Sequence, residues 1–295
     1  MLFSDNFIAL SDHLTSNSHP DIALMKKVEG MDSNVNATDL YHLLLNSWSA
    51  EYALRITPVV NDEQYLQSSL HWTFPQAYYS VLFSARAFLR VMGSNLSNEE
   101  NIVRKISSYV SMGVYPKSLS FYMYGTPDDY KVKNLTDQLA LTHFLATTRE
   151  RQFEACFKAV QMSPSRALRD YNGHLIAKLD TDVCRLIGSQ VNRTTYFDLM
   201  QRLRISTRNR EIEQLVLAEM GLIDFHSRLT GIVSHINSVH ECYVAQCLGL
   251  DDYRSLVDRA PSYLRQSFVL DRLETLIVPN MQALQPAITA NEPVD

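Results

Sequence analysis

Apolar residues recur every three or four positions along most of this chain and rarely alternate, which predicts amphipathic helices rather than strands. In residues 38–54, Thr38 and Asp39 supply a start, and Leu40, Leu43, Leu44 and Trp48 fall on one face, with Pro58 expected to close the segment. A second segment covers about 62–92. Pro75 lies inside it, and a helix-interior proline costs about 3 kcal/mol, so a break is expected near Thr73. Beyond it, Tyr78, Leu82, Ala85, Leu89 and Met92 continue the helical spacing up to Gly93. Further helices are predicted over Glu99–Met112, about Asp137–Met162, from Ser163-Pro164 onward, about Thr194–Leu203, and about 261–277. Residues 179–192 read as a crossing between helices.

The clearest periodicity lies in 213–247. Leu222, Leu229, Ile236 and Tyr243 are spaced by seven, and Phe225, Ile232 and Val239 form a second row offset by three. Such a seam is buried within a bundle or across a dimer. The least regular stretch holds Gly113, Pro116, Gly125 and Pro127 among several aromatics. It reads as an ordered loop or a small hairpin over 113–134. Its tyrosines either pack over the helices or offer a surface to a protein partner across 113–130.

Composition sharpens this reading. Only nine of the 295 residues are glycine, too few for the turns and phosphate loops of a parallel α/β fold. The net charge of −5 gives no bulk attraction to nucleic acid, so any such contact must be local. Cys156, Cys184, Cys242 and Cys247 are scattered, with no Cys-x-x-Cys pair, and are expected to be free thiols with no metal site. The start, MLFSDNFIALSDHL, is acidic and unlike a signal peptide, and no run of about 18 apolar residues occurs. A cytoplasmic protein with no membrane association is therefore expected. No Walker A loop, dinucleotide fingerprint, His-Glu-x-x-His or Gly-x-Ser-x-Gly is present, which disfavours kinase, ATPase and zinc-hydrolase chemistry and leaves no cofactor implied.

The segment SLHWTFPQAYYSVLFSARAFLRVMG, residues 69–93, carries Ala77, Tyr78, Tyr79, Phe83, Ala85, Arg86, Ala87 and Leu89. This pattern of aromatic and small residues resembles an early helix of HEPN (higher eukaryotes and prokaryotes nucleotide-binding) domains. A second segment, LMQRLRISTRNREIEQLV, residues 199–216, resembles a later element of that family through Leu203 and Arg204. It departs at Asn209, where the family has tyrosine. Low glycine and helical periodicity predict an all-α protein, with an N-terminal helical extension over 1–60 and a flexible tail over 279–295 that carries Pro279, Pro286 and Pro293; the resemblance implies that 61–278 is a four-helix bundle with additional helices and the Tyr-rich insertion. It also implies a homodimer. Many members of the family cut RNA without metal, as toxins or antiviral effectors, and others are inactive modules that bind partners.

RNA cleavage needs a base for the 2′-hydroxyl, an acid for the leaving oxygen, and a cation for the phosphorane. The family's signature is an Arg, a polar residue and a nearby His. Arg169, Asp170 and His174 fit it, and the resemblance implies that two such motifs meet across a dimer. A competing pair, Arg228 and His235, shares a helix face at a spacing of seven. Arg202, Arg204, Arg208 and Arg210 form the densest basic cluster and are candidates for holding phosphates. Two readings stay open: an RNA-acting HEPN-like protein, or an inactive helical module that binds a protein partner.

Overall fold

A computed structural model of the chain describes residues 2–16, 25, 31, 35–60, 62–136, 138–163, 165, 167–169, 172–205 and 211–284. It is an all-α helical bundle with a small three-stranded sheet. The helices are α1 (Phe3–Thr15), α2 (Ala37–Val60), α3 (Glu63–Val91), α4 (Glu99–Ser111), α5 (Leu139–Gln161), α6 (Thr181–Ile187), α7 (Tyr196–Ile205), α8 (Glu211–Glu219), α9 (Leu222–Leu248) and α10 (Leu250–Asp258). The last, α11, runs over 262–284, kinked at Ser267, whose φ of −105° and ψ of −132° are not helical, and with a π-helical stretch at Leu273–Ile277. The strands are β1 (Tyr122–Gly125), β2 (Tyr130–Lys133) and β3 (Thr194–Thr195).

Helix α9 is the centre of the bundle and packs against α1, α2 and α3. Its two heptad rows, from Leu222 to Tyr243 and from Phe225 to Val239, are all buried. The seam therefore closes within one chain. A fully buried Leu, Ile or Phe contributes about 1.5–3 kcal/mol, so these rows are a large share of the fold's driving force. The long periodic stretch is two helices rather than one, because the chain breaks at Met220-Gly221 before α9 begins. Residues of α1 and α2 belong to the same hydrophobic core as α3 and α9: Phe7, Leu44 and Trp48 lie in it with Tyr78, Phe88 and Ile236. A smaller cluster of Phe153, Val160, Cys184 and Ile187 joins α5 to α6.

Four local expectations are corrected, the first being the crossing expected over 179–192, which holds helix α6 at Thr181–Ile187. Helix α3 does not break near Thr73 but runs unbroken through Pro75. Leu66, Leu70 and Phe74 before the proline and Ala77, Tyr78 and Val81 at and beyond it are buried in one core, which outweighs the roughly 3 kcal/mol cost. The carbonyl that Pro75 leaves without its usual partner belongs to His71, on the exposed face. Pro58 likewise falls within the last turn of α2, which ends two residues later at Val60. The helix expected from Ser163-Pro164 is absent from the described residues that follow. An antiparallel bridge between Arg169 and Leu175 closes a turn there instead, with Gly173 at φ +81°.

The Tyr-rich stretch is a hairpin. β1 and β2 pair antiparallel, Tyr122 opposite Lys133 and Gly125 opposite Tyr130, and β3 pairs with the other edge of β1. Tyr115, Phe121 and Met123 face the core, whereas Tyr122, Tyr124 and Tyr130 are partly or largely exposed. Arg149 of α5 pins the sheet from below. It donates to the Gly125 carbonyl at 2.6 Å, the Asn192 carbonyl at 3.0 Å and Thr194 Oγ1 at 3.2 Å. Burial pulls its pKa down to about 10, even with Asp198 nearby. Asp198 itself caps α7 by accepting from the Thr195 amide at 2.7 Å and hydroxyl at 3.0 Å.

Candidate functional site

The sequence candidates separate in space. Arg169 and His174 lie in the exposed turn closed by the Arg169–Leu175 bridge, where Arg169 Nη1 donates to the Gly173 carbonyl at 2.8 Å. The structure thus brings them into one tight turn, not along a helix. Asp170, Arg208 and Arg210 lie outside the described residues.

Arg228 and His235 share α9 but do different work. Arg228 binds Asp224 through Nε at 3.0 Å and Asp12 through Nη1 at 2.8 Å, tying α1 to α9. His235 is buried, with Nε2 2.8 Å from Ser118 Oγ, and so joins α9 to the segment leading into the hairpin.

The two described arginines of the basic cluster are held by the fold. Arg202 donates to Thr147 Oγ1 at 2.7 Å and Thr148 Oγ1 at 2.9 Å and lies 5.1 Å from the Phe144 ring centroid. Arg204 pairs with Glu99 at 2.7 Å. Its guanidinium also stacks 4.5 Å from the Tyr78 ring centroid and 5.9 Å from that of Tyr79.

That last contact leads to a surface that spacing alone did not single out. Helix α3 starts at Asp62, which accepts from the Tyr65 amide at 2.8 Å. From there Tyr65, Trp72 and Tyr79 stand seven apart on its solvent side, 49%, 64% and 40% exposed. Seven residues on an α-helix are about two turns, so the three rings form a row roughly 10 Å apart. One more step of seven reaches Arg86, which has no ion-pair partner among the described residues. Phe83 flanks the row, its ring 6.4 Å from Tyr79. Helix α7 packs alongside, and that packing sets Arg204 against Tyr79. A row of exposed aromatics ending in cations is unusual on a solvated helix face, where large apolar groups normally occur singly. The seven-residue spacing was legible in the sequence. Its exposure depended on which α3 face met α9.

A second feature is internal. Glu51, Glu241 and Arg272 are buried together at the junction of α2, α9 and α11. Arg272 bridges the two carboxylates, through Nη2 to Glu51 at 2.5 Å and through Nη1 to Glu241. Glu51 also accepts from Arg55 at 2.8 Å and from Asn237 Nδ2 at 2.7 Å, and Glu241 accepts from Tyr253 OH at 2.7 Å. Burial alone would raise the Glu51 carboxyl, but Arg272 and Arg55 outweigh it and hold it below its usual range. For Glu241 burial wins over Arg272, and its carboxyl is pushed up.

The polar chain continues inward. Ser84 Oγ donates to Asn237 Oδ1 at 2.7 Å and lies 2.9 Å from His240 Nδ1. The single hydroxyl proton of Ser84 is shared between Asn237 Oδ1 and the Val81 carbonyl at 3.0 Å, which assigns the imidazole proton to Nδ1 and leaves Nε2 as an acceptor. Tyr115 OH at 2.9 Å and Tyr196 OH at 3.2 Å stand at Nε2. Burial holds His240 neutral, its pKa down to about 3. No signal in the helical periodicity pointed to this network, although Ser47, Glu51, Ser80, Ser84, Asn237 and Glu241 interrupt otherwise apolar faces.

Among the described residues no helix is long and apolar enough to cross a membrane, and no group of three or more His, Cys, Asp or Glu is placed to hold a metal ion. None of the four cysteines is in a disulfide. The chain matches no protein-family model, no curated protein and no solved structure.

Proposed function

We propose that this protein binds single-stranded RNA along the exposed face of α3. The observation that carries the reading is the row Tyr65, Trp72 and Tyr79 ending on Arg86, with Arg204 stacked beside it. Single strands are held by bases stacked on aromatic rings and by nearby cations on the phosphates, and each stacked base is worth about 1–3 kcal/mol. The resemblance of this same helix to a family rich in RNA-acting members agrees with the reading. It is a reading of binding, not of cleavage. Arg228 is committed to two carboxylates and His235 is buried against Ser118, so that pair cannot meet a phosphate without local opening. Arg169 and His174 are both exposed in their turn.

The test uses an internal reporter. Only two tryptophans exist, and Trp48 is fully buried, so a base stacking on Trp72 should quench the exposed fraction of the fluorescence. Titration with a single-stranded RNA 12-mer should quench it, more weakly at high salt. Trp72→Ala and Tyr79→Ala should each weaken binding, followed by the anisotropy of a labelled strand, roughly 5- to 100-fold. Absence of binding by the unaltered protein at micromolar concentration refutes the reading. If instead Trp72→Ala turns a dimer into a monomer while RNA binding is absent, the row is a protein–protein contact.

A further inference from the structure

Beside the buried Glu51–Arg272–Glu241 cluster, and away from the α3 row, α1, α2, α9 and α11 line a cavity of about 370 Å³ that opens to solvent past Asp271 and Thr275. This is the size range of small-molecule sites. Gly231 on its wall lets α1 and α9 approach closely, since a Cβ there would meet Thr15 Cγ2 at 3.2 Å.

The hydrogen-bonding character of the walls can be counted. Arg55 gives Nε and Nη2 to Glu51 and Nη2 also to Ser234, so Nη1 has no acceptor among the described residues. Ser234 Oγ accepts from Arg55 Nη2 at 2.8 Å and from Arg272 Nη2 at 3.2 Å, and its own proton has no acceptor there either. Arg55 and Ser234 are therefore donors toward the cavity. Their positions are fixed by a buried carboxylate and a second guanidinium, not by solvent.

Other wall groups are the reverse. Thr15, Ser238 and Thr275 spend their hydroxyl protons on the carbonyls of Ser11, Ser234 and Asp271 at 2.8, 2.7 and 2.8 Å. Each then offers only oxygen lone pairs. Asp271 adds a carboxylate with no ion-pair partner among the described residues. Phe268 and Leu276 supply an apolar wall, and Phe268 is clamped between Arg55 at 4.4 Å and Arg272 at 4.8 Å from its centroid.

We infer that this cavity is a binding site for a zwitterionic small molecule, an α-amino acid with an apolar side chain. Its carboxylate accepts from Arg55 Nη1 and the Ser234 hydroxyl. Its ammonium donates to Asp271 and the acceptor-only hydroxyl oxygens, and its side chain lies against Phe268 and Leu276. A simple anion would satisfy the donors but set a charge near Asp271 with nothing to offset it. A simple cation would face Arg55. The lone pairs of three spent hydroxyls call for a ligand rich in N–H donors, which an ammonium supplies and a phosphate does not.

The experiment is isothermal titration calorimetry on the full chain with L-leucine and L-phenylalanine. Two blocked analogues accompany them: N-acetyl-L-leucine, which lacks the cation, and L-leucinamide, which lacks the anion. Saturable binding of a free amino acid is expected, with each blocked analogue at least 10-fold weaker. Arg55→Gln should weaken the amino acid at least 10-fold. Because Arg55 also neutralises Glu51, two rim variants guard against a folding defect. Asp271→Asn should weaken L-leucine while leaving L-leucinamide less well bound than L-leucine by a similar ratio, and Thr275→Phe should fill the cavity and abolish binding. Both positions are exposed, so unchanged circular dichroism is expected. No binding of any free amino acid at millimolar concentration overturns the inference. So does N-acetyl-L-leucine or inorganic phosphate binding as well as L-leucine, which would make the cavity an anion site.

Discussion

Replacing Arg272 by Met removes the one cation shared by two buried carboxylates. Arg272 is 3% exposed, and both Glu51 and Glu241 are 0% exposed. Without it Glu51 keeps Arg55 and Asn237, but Glu241 is left with neutral neighbours such as the Tyr253 hydroxyl and the Trp48 indole. Breaking a buried pair from one side costs about 3–5 kcal/mol, because a charge is left in a low-dielectric interior. For a chain of this size that is on the order of 10 °C in Tm. The sign of the pH dependence follows from the carboxyls. In the unaltered protein Glu51 sits below its usual range, so its contribution is present at neutral pH and is lost as pH falls through its folded pKa. In Arg272→Met both carboxyls lose a favourable charge and move up. The folded state then binds protons more readily than the unfolded one, and the variant regains stability as pH falls from 7 to 5. The deficit measured by urea unfolding should therefore shrink at pH 5. Adding Glu51→Gln and Glu241→Gln to Arg272→Met should recover most of the loss, since the buried charges then vanish together. A deficit below about 1 kcal/mol, or one that grows on acidification, would refute the reasoning.

Ile236→Asp places an uncompensated carboxylate in the α9 seam and should cost about 4 kcal/mol in urea unfolding, with no need for a partner chain to explain the loss. His240 should remain neutral with its proton on Nδ1 at pH 5 in ¹⁵N NMR spectra. Because its folded pKa of about 3 lies below the ordinary value, its contribution is complete above roughly pH 6.5 and declines below it by about 1.4 kcal/mol per unit. Gly125→Ala should cost about 1–3 kcal/mol by thermal unfolding, since Gly125 has φ +97° and an added Cβ would stand 2.3 Å from the Asp129 carbonyl oxygen. His174→Ala should leave stability within about 0.5 kcal/mol, as its side chain is exposed, and a larger loss would show that the turn is structural.

What the sequence determined by itself was local. The repeats from Leu222 to Tyr243 and from Phe225 to Val239 specify a helix with one apolar stripe whatever lies against it, because residues three, four and seven apart share a face. Pro, Gly and aromatic clustering around 113–134 likewise marked the hairpin, because those residues set backbone angles within a few positions. Tertiary structure decided the rest. It carried α3 through Pro75, since burial on both sides of the proline exceeds a penalty that is decisive only in an isolated helix. It set Arg202 on Thr147 and Thr148, Arg204 on Glu99 and beside the Tyr79 ring, and Arg228 on Asp12, contacts with other helices that no spacing within the sequence specified. It also assembled Arg272 with Glu241, 31 residues away, and with Glu51, 221 residues away. Helical periodicity distinguishes buried positions from exposed ones, but not a buried Glu that meets an Arg from one that would stay unpaired. That depends on which helices become neighbours, and the long-range packing of α2, α9 and α11 settles it.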